Sequence, residues 1–184
     1  MLNSTAHLLE RLARAVHNDA HSGGLKPTQW EALRYLAHAN RFSRSPGALT
    51  TYLGMTKGTV SQTLRALERK GYVEKQATAG DRRGVKLDLT KAGEELLACD
   101  PLSDLGASID AMPQDTQTML GVSLEGLMKD MLARRGGRAF GACKACRHFR
   151  PKHDDGAPFF CSLLSEPLSE DDSEMICAEQ EAAA

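Results

Sequence analysis

The feature that most constrains the fold is a pair of short helical segments joined by a tight turn within residues 45–70. Ser45 is followed by proline, a pattern typical of an N-cap and a first helical turn, and Gly54 ends the first segment. Thr56 caps the second segment almost at once. The apolar residues of this second segment repeat at helical spacing: Val60, Leu64 and Leu67. Two helices joined in this way predict a helix-turn-helix.

Further helices and one hairpin surround this unit. Helical spacing of apolar residues predicts helices at residues 3–21, at 27–40, from Thr90 to an interruption at Pro101, and at 113–135. Residues 72–77 and 85–89 have strand-like composition. The predicted fold is mainly α-helical with a small β-hairpin wing. We therefore expect a winged helix-turn-helix with a helical dimerisation region in residues 1–140, and a small metal-binding module in residues 141–184.

Charge is distributed unevenly along a chain of 184 residues whose net charge is only -1. Residues 26–91 contain 13 lysines and arginines against five acidic residues, whereas residues 141–184 contain four against nine. The basic segment is typical of a surface that binds a polyanion, although a solvated charged face has the same composition. The acidic segment indicates a unit of a different kind.

The outer face of the second helix of the helix-turn-helix has the residue types of a DNA-reading helix. Lysine and arginine suit phosphate or guanine, glutamine suits adenine, and hydroxyl groups suit either. The candidate DNA-binding residues on this helix are Thr56, Lys57, Thr59, Ser61, Gln62 and Arg65. Arg82 and Arg83 at the hairpin tip are placed to reach an adjacent minor groove, where narrow A·T tracts attract arginine. The predicted partner is therefore double-stranded DNA.

These residues resemble the MarR family of winged-helix transcriptional regulators. The matching segments are Gly54-Met55-Thr56-Lys57-Gly58-Thr59-Val60-Ser61-Gln62-Thr63-Leu64, Leu67-Glu68-Arg69-Lys70-Gly71-Tyr72-Val73, and Asp81-x-Arg83 followed by Leu89-Thr90. The resemblance covers roughly residues 5–135. Two positions depart from the family, since Gln62 and Lys75 stand where members commonly have arginine. The glutamine favours a base preference shifted towards adenine.

The resemblance implies a homodimer with intertwined N- and C-terminal helices, one winged helix per subunit and often a pocket for a small-molecule effector. It also implies that Asp81 braces the wing and that Arg83 is directed to the minor groove. The apolar stripes of residues 1–21 and 113–135 favour the same dimer, because one small winged helix cannot cover them. Isologous pairing sets two recognition helices about one DNA turn apart, so the expected DNA site is pseudo-palindromic.

Four cysteines near the end of the chain have a spacing typical of metal ligands, C-x2-C-x14-C-x15-C. They are Cys143, Cys146, Cys161 and Cys177. A Cys-x2-Cys pair directs two sulfurs at one ion, and two further thiolates complete a tetrahedral site. Zinc is the expected cofactor; an iron–sulfur cluster uses the same four thiolates, and thiol-disulfide redox sensing needs no metal. We expect the module to pack near the dimer scaffold and away from the basic face.

The predicted function is sequence-specific transcription regulation by a homodimer with a four-cysteine zinc site. The alternatives are an iron–sulfur or thiol-based redox-sensing regulator, and an adaptor that uses the winged helix for protein contacts instead of DNA. An enzyme is not expected, because the Cys-x2-Cys pair lacks a thioredoxin-type strand and helix and no nucleotide loop accompanies it. With no signal peptide and no apolar run of about 20 residues, we expect a cytoplasmic protein without a membrane partner.

Overall fold

The computed structural model describes residues 4–21, 23–77, 85–138, 140–151 and 156–182. In these ranges the chain begins with α1 (Ser4–Asp19), α2 (Pro27–His38), α3 (Pro46–Leu53) and α4 (Lys57–Arg69). The strands β1 (Val73–Ala77) and β2 (Val85–Leu89) follow, and then α5 (Lys91–Leu97), α6 (Leu102–Asp110) and α7 (Gln114–Arg134). This mostly helical order with a small β wing confirms the predicted winged helix-turn-helix.

Side-chain caps set the bounds of the two central helices. The Ser45 Oγ accepts a hydrogen bond from the Ala48 amide at 3.1 Å at the start of α3. Gly54 ends α3 with a φ of 61°, a left-handed conformation that glycine adopts without steric cost. The Thr56 Oγ1 then accepts from the Thr59 amide at 3.2 Å and starts α4. The helix-turn-helix is therefore encoded by local signals.

The wing is an antiparallel pair in which Val73 lies opposite Leu89 and Ala77 lies opposite Val85. Its inner face is buried, with Val73 and Leu87 at 2% and 0% exposure. The base of the wing packs tightly on α5. The packing is so close that a side chain at Gly93 would collide with the carbonyl group of Tyr72. Glycine is required at this position by that close approach.

The main hydrophobic core joins α2, α3, α4 and the wing. Its largest fully buried side chains are Trp30, Tyr35, Leu33, Leu36, Leu49, Leu64, Leu67 and Leu87. Helices α1, α6 and α7 contribute no buried residue in the described part of the chain. Many apolar side chains of α1 and α7 remain exposed, including Leu8, Leu12, Met119, Val122, Leu124, Leu127 and Met128. These helices form an arm that the winged helix of the same chain does not cover.

The segment after α7 folds into short strands around the cysteines. Its elements are β3 (Gly141–Ala142), a 3-10 turn (Cys143–Ala145), β4 (Phe149–Pro151), β5 (Phe159–Cys161), β6 (Glu166–Leu168), α8 (Glu170–Glu174) and β7 (Ile176–Cys177). The strands β4, β5 and β6 form an antiparallel sheet, and β3 pairs with β7. We call residues 141–182 the cysteine module.

The cysteine module packs against the α2–α3 turn, residues 39–45. The Asn40 amide donates to the Ile176 carbonyl at 2.9 Å, and the Ala178 amide donates to the Ser43 Oγ at 2.8 Å. Ile176 also packs against the main core. This placement differs from the expected position beside the dimer scaffold. The difference arises because polar groups in the α2–α3 turn pair with the backbone of the module.

Candidate nucleic-acid interface and cysteine site

The outer face of α4 presents the candidate DNA-binding side chains together. Val60, Leu64 and Leu67 are 0–1% exposed and fix the helix against the core. Because α-helical residues three and four apart share a face, this burial turns the polar residues outward. Thr56, Lys57, Thr59, Ser61, Gln62 and Arg65 are all exposed. The structure therefore assembles these six predicted residues on one accessible surface.

Two of these six residues have a structural task as well. The Thr56 hydroxyl caps α4, and its Oγ1 lies 2.9 Å from the Thr59 Oγ1. Those contacts hold the first turn of α4 in place. Thr56 is thus a helix cap at the edge of the face, while Lys57, Gln62 and Arg65 extend from it.

The wing carries basic residues beside this face. The Lys75 Nζ pairs with the Glu68 Oε2 at 2.7 Å and so ties β1 to α4. The predicted wing-tip residues Asp81, Arg82 and Arg83 lie outside the described residues.

Arg44 was not among the predicted site residues, yet it secures the base of the wing. Its Nη1 lies 3.0 Å from the Asp88 Oδ1, and the Lys86 Nζ lies 3.0 Å from the Asp88 Oδ2. Burial alone would raise the pKa of Asp88, but hydrogen bonds from Lys86 and Arg44 outweigh it and hold this pKa below its usual value. No local sequence pattern marks this long-range contact.

The four predicted metal ligands line one small cavity of about 10 Å³, roughly the volume of a single water-sized sphere. Phe149, Leu163 and Leu168 supply its apolar walls. Cys143 and Cys177 are buried, and Cys146 and Cys161 are partly buried. The structure therefore brings the four cysteines together, although the side chains of the described ranges include no group of three already in an ion-binding arrangement.

Amide groups donate hydrogen bonds to two of the four sulfur atoms. The Asn40 Nδ2 donates to the Cys143 Sγ at 3.1 Å, and the Glu181 amide donates to the Cys146 Sγ at 3.5 Å. The Cys143 thiol donates to Cys177, which lowers the pKa of Cys177, and the same contact raises the pKa of Cys143. Cys143 and Cys177 therefore contact each other directly at the site.

His148 also lines this cavity. Its Nε2 is buried and has no hydrogen-bond partner among the described residues, and the Glu181 Oε2 lies 3.4 Å away. A histidine nitrogen therefore lies at this site together with the four cysteine sulfurs that are the candidate metal ligands.

A separate cavity of about 570 Å³ opens between α2, the wing and α5. Charged and polar side chains form much of its wall: Arg44, Glu74, Gln76, Asp88 and Glu94. A pocket for a small-molecule effector stays a prediction.

No helix within the described ranges is long and apolar enough to cross a membrane.

Known proteins are similar to the first part of the chain. Residues 23–84 match the model of the MarR family. Over 91 residues the chain is 28% identical to the transcriptional repressor MprA of Escherichia coli strain K12, which aligns 50% of this chain with 52% of MprA. The chain thus spans about half the length of the curated relatives it matches. The family match ends before the first cysteine of the module.

Solved structures extend the similarity of fold. S. aureus MepR in its DNA-binding conformation has a TM-score of 0.62 at 18% identity, covering 70% of this chain and 99% of its own. Streptococcus pneumoniae FabT, solved in complex with DNA, has a TM-score of 0.52 at 26% identity, covering 69% and 91%. The matched relative is named as a transcriptional repressor and not as an enzyme, in agreement with the expectation for this chain. Together with the observed fold, these matches show that the first part of the chain has a winged-helix fold similar to that of MarR-family regulators.

Proposed function

We propose that this protein is a sequence-specific DNA-binding transcription regulator that acts as a homodimer and carries a zinc ion on its four module cysteines. The observation that carries DNA binding is the exposed polar face of α4. Lys57, Gln62 and Arg65 extend from this face while the opposite face is buried in the core. In a helix-turn-helix, the second helix enters the major groove with such a face.

The similar structures support the same geometry. MepR and FabT have both been solved with DNA. By that similarity, α4 enters the major groove, Gln62 reads a base edge, and Lys57 and Arg65 contact phosphate or guanine. By the resemblance to the MarR family, Arg82 and Arg83 would contact the neighbouring minor groove, and Asp81 would brace the wing.

The homodimer is supported by the arm of α1, α6 and α7. Leu8 is 61% exposed on α1, and Met119 and Val122 are 70% and 67% exposed on α7. Exposed apolar area on this scale is typical of a surface that a partner covers. Pairing of two arms by a twofold axis would place two α4 helices on one face and favour a pseudo-palindromic site.

The cysteine site supports zinc by its donor set. Four thiols surround one small cavity, and Zn²⁺ binds four thiolates tetrahedrally in closed structural sites. Asn40 and Glu181 donate hydrogen bonds to the Cys143 and Cys146 sulfurs, as outer-sphere groups of metal sites do. Bound zinc would cross-link the three segments that carry the four cysteines, and Cys143, Cys146, Cys161 and Cys177 would hold it.

An iron–sulfur cluster is the second candidate for this site. Amide-to-sulfur hydrogen bonds like those from Asn40 and Glu181 also tune cluster potentials. Metal analysis with an absorption spectrum of protein purified without oxygen separates the two. Colourless protein with one zinc per chain supports the structural site, and visible absorption with iron supports a redox-sensing regulator.

DNA binding is tested by selection of duplexes from a random-sequence pool by the full-length protein. We expect an enriched pseudo-palindromic motif and an affinity that falls steeply with salt, because phosphate contacts release counterions. The matched control is the double variant Lys57→Ala and Arg65→Ala, which should enrich no motif. Absence of enrichment by the wild type would instead favour a protein-binding adaptor.

A further inference from the structure

We propose that the cysteine module clamps the α2–α3 turn, so that metal occupancy of the four-cysteine site controls the affinity for DNA. This inference rests on the DNA-binding and metal-binding functions proposed above and adds a physical link between them. The link consists of residues 39–45, which contact the cysteines on one side and the helix-turn-helix and wing on the other.

On the cysteine side, Asn40 and Ser43 are the contact residues of the turn. Asn40 is 0% exposed and Ser43 is 1% exposed. The Asn40 side chain donates to the Cys143 sulfur at 3.1 Å, across 103 positions of sequence. The Ser43 Oγ accepts from the amide of Ala178, the residue after Cys177, at 2.8 Å. Two of the four cysteine positions are therefore bonded to the turn directly or through the next residue.

Asn40 also shapes the turn itself. Its Oδ1 accepts from the Phe42 amide at 3.2 Å, and its carbonyl accepts from the Ser43 amide at 3.0 Å. The side-chain amide that touches the sulfur thus also binds the backbone of the turn at Phe42, while the backbone carbonyl of Asn40 binds Ser43. A change of charge or position at the Cys143 sulfur acts on that backbone through one side chain.

On its other side, the turn contacts the helix-turn-helix and the wing, which are the elements proposed to contact DNA. Ser45 caps α3, and the Arg44 carbonyl accepts from the Leu87 amide of β2 at 2.8 Å. Arg44 binds Asp88 on the same strand at 3.0 Å. The Tyr35 hydroxyl donates to the Ser43 carbonyl at 2.7 Å and fixes the turn to α2. The turn therefore sets the start of α3 relative to the wing.

The module depends on its site to hold this position. Its own buried cluster consists of Cys143, Leu168 and Cys177, and Phe149, Phe159 and Cys161 pack against it while remaining partly exposed, so cysteines make up much of the described core of the module. Four thiols without an ion have little apolar burial to replace the metal bonds. When the module loosens, the buried amide of Asn40 loses its partner, which destabilises the present turn.

The contact between Arg41 of the turn and the module gives a second way to weaken the clamp. The Arg41 Nη1 pairs with the Asp172 Oδ2 at 2.9 Å, and its Nη2 donates to the Pro167 carbonyl at 2.5 Å. The Arg41 side chain is 45% exposed, so its removal leaves the core intact. Lys144 offers a matched control, because its ammonium pairs with Glu174, a residue of the module itself.

The test uses full-length protein loaded with Zn(II) and a DNA duplex selected by the wild type. Affinity is measured with zinc and after chelation, and amide hydrogen exchange of residues 39–49 is followed without DNA. We expect chelation to weaken wild-type binding by at least about fivefold, the lower end of typical coupling between sites. Exchange in the turn should accelerate at the same time. Ser43→Ala and Arg41→Ala should keep their zinc, bind DNA more weakly and respond less to chelation, whereas Lys144→Ala behaves like the wild type.

The outcomes separate the clamp from the functions on which it rests. If the wild type binds zinc and DNA but chelation leaves affinity and exchange unchanged, the clamp is wrong and the proposed function stands. Unchanged affinity in both Ser43→Ala and Arg41→Ala also overturns it, and Arg41→Ala decides alone if Ser43→Ala does not fold. If the wild type selects no DNA or binds no metal, the proposed function fails first and the clamp fails with it.

Discussion

Arg34 on α2 and Asp100, in the connection between α5 and α6, form two parallel hydrogen bonds, from Nε to Oδ2 at 2.6 Å and from Nη2 to Oδ1 at 2.7 Å. Both side chains are largely buried, with 18% and 14% exposure. The Asp100 Oδ1 also accepts from the Leu102 amide at 2.8 Å, at the start of α6. This pair therefore fixes the winged-helix core to the corner from which the helical arm extends.

Asp100→Asn should destabilise this corner in a pH-dependent way. Burial raises the pKa of Asp100, but hydrogen bonds from Arg34 and Leu102 outweigh it, and the pKa of the folded protein lies below the usual aspartate value. The ionised carboxylate thus stabilises the fold above the unfolded-state pKa, and this contribution is lost as pH falls through the folded-state pKa. We expect a loss of about 2 kcal/mol at pH 7, typical of hydrogen bonds to a charged group.

Denaturant unfolding at pH 7 and at pH 3 measures this difference. Glu95→Gln is the control, because Glu95 pairs with Lys91 on the exposed surface of α5 at 3.8 Å. That variant should change stability little at either pH. An equal loss for Asp100→Asn at both pH values would contradict the role of the charge.

Gly93→Ala should destabilise the joint between the wing and α5. A methyl group there would collide with the carbonyl of Tyr72, which also accepts from the Thr90 amide at 3.1 Å. We expect a cost of about 1–3 kcal/mol, as for other overpacked sites, measured by thermal unfolding. Gly106→Ala on α6 is the control, because no described atom outside its own stretch of helix lies within 4 Å of the added carbon. It should leave stability equal or slightly higher.

The agreement between sequence and structure is best where signals are local. Ser45, Thr56 and Thr90 were predicted as caps, and each accepts a hydrogen bond from an amide three residues later. A cap depends on a few consecutive residues, so its pattern is visible in the sequence. The outer face of α4 was predictable for the same reason, since helical spacing separates buried from exposed positions.

The position of the cysteine module could not be predicted in this way. The spacing of the four cysteines indicated a metal site. The docking of the module on the rest of the chain, however, depends on Asn40 and Ser43, two small polar residues in a turn. Such residues are common in turns for local reasons, so nothing in the sequence marks them as partners of Cys143 and Ala178. The long-range contacts of Arg34 and Arg44 escaped prediction for the same reason.

Charged substitutions on α7 should separate the proposed homodimer into monomers. Leu124 and Leu127 are 41% and 42% exposed in the single chain, and they belong to the stripe that a partner would cover. The double variant Leu124→Asp and Leu127→Asp places two carboxylates in that interface, which costs several kcal/mol. Analytical ultracentrifugation should show a monomer. Lys129→Ala on the same helix should remain a dimer, and a wild-type monomer at micromolar concentration would contradict the proposal.

Gln62→Ala should alter the base preference of the protein. A glutamine that reads an adenine edge contributes about 1–3 kcal/mol of discrimination, so its loss should relax one position in each half-site. Arg83→Ala should instead weaken binding across sequences and reduce its dependence on salt. Competition between related duplexes measures both effects. Gln114→Ala on α7 is the matched control, and an unchanged preference in Gln62→Ala would exclude that residue as a reader.

Cys146→Ser should release metal from the module, whereas Cys99→Ser should not. Cys146 lines the four-cysteine cavity and accepts a hydrogen bond from the Glu181 amide, while Cys99 lies exposed after α5. Loss of one thiolate leaves three ligands, so zinc content should fall well below one per chain and the melting temperature should drop by roughly 5 °C or more. Metal analysis and calorimetry of the two variants measure these changes. Full zinc content and unchanged melting in Cys146→Ser would exclude this cysteine as a ligand, and equal losses in Cys99→Ser would show that the effect does not depend on the site.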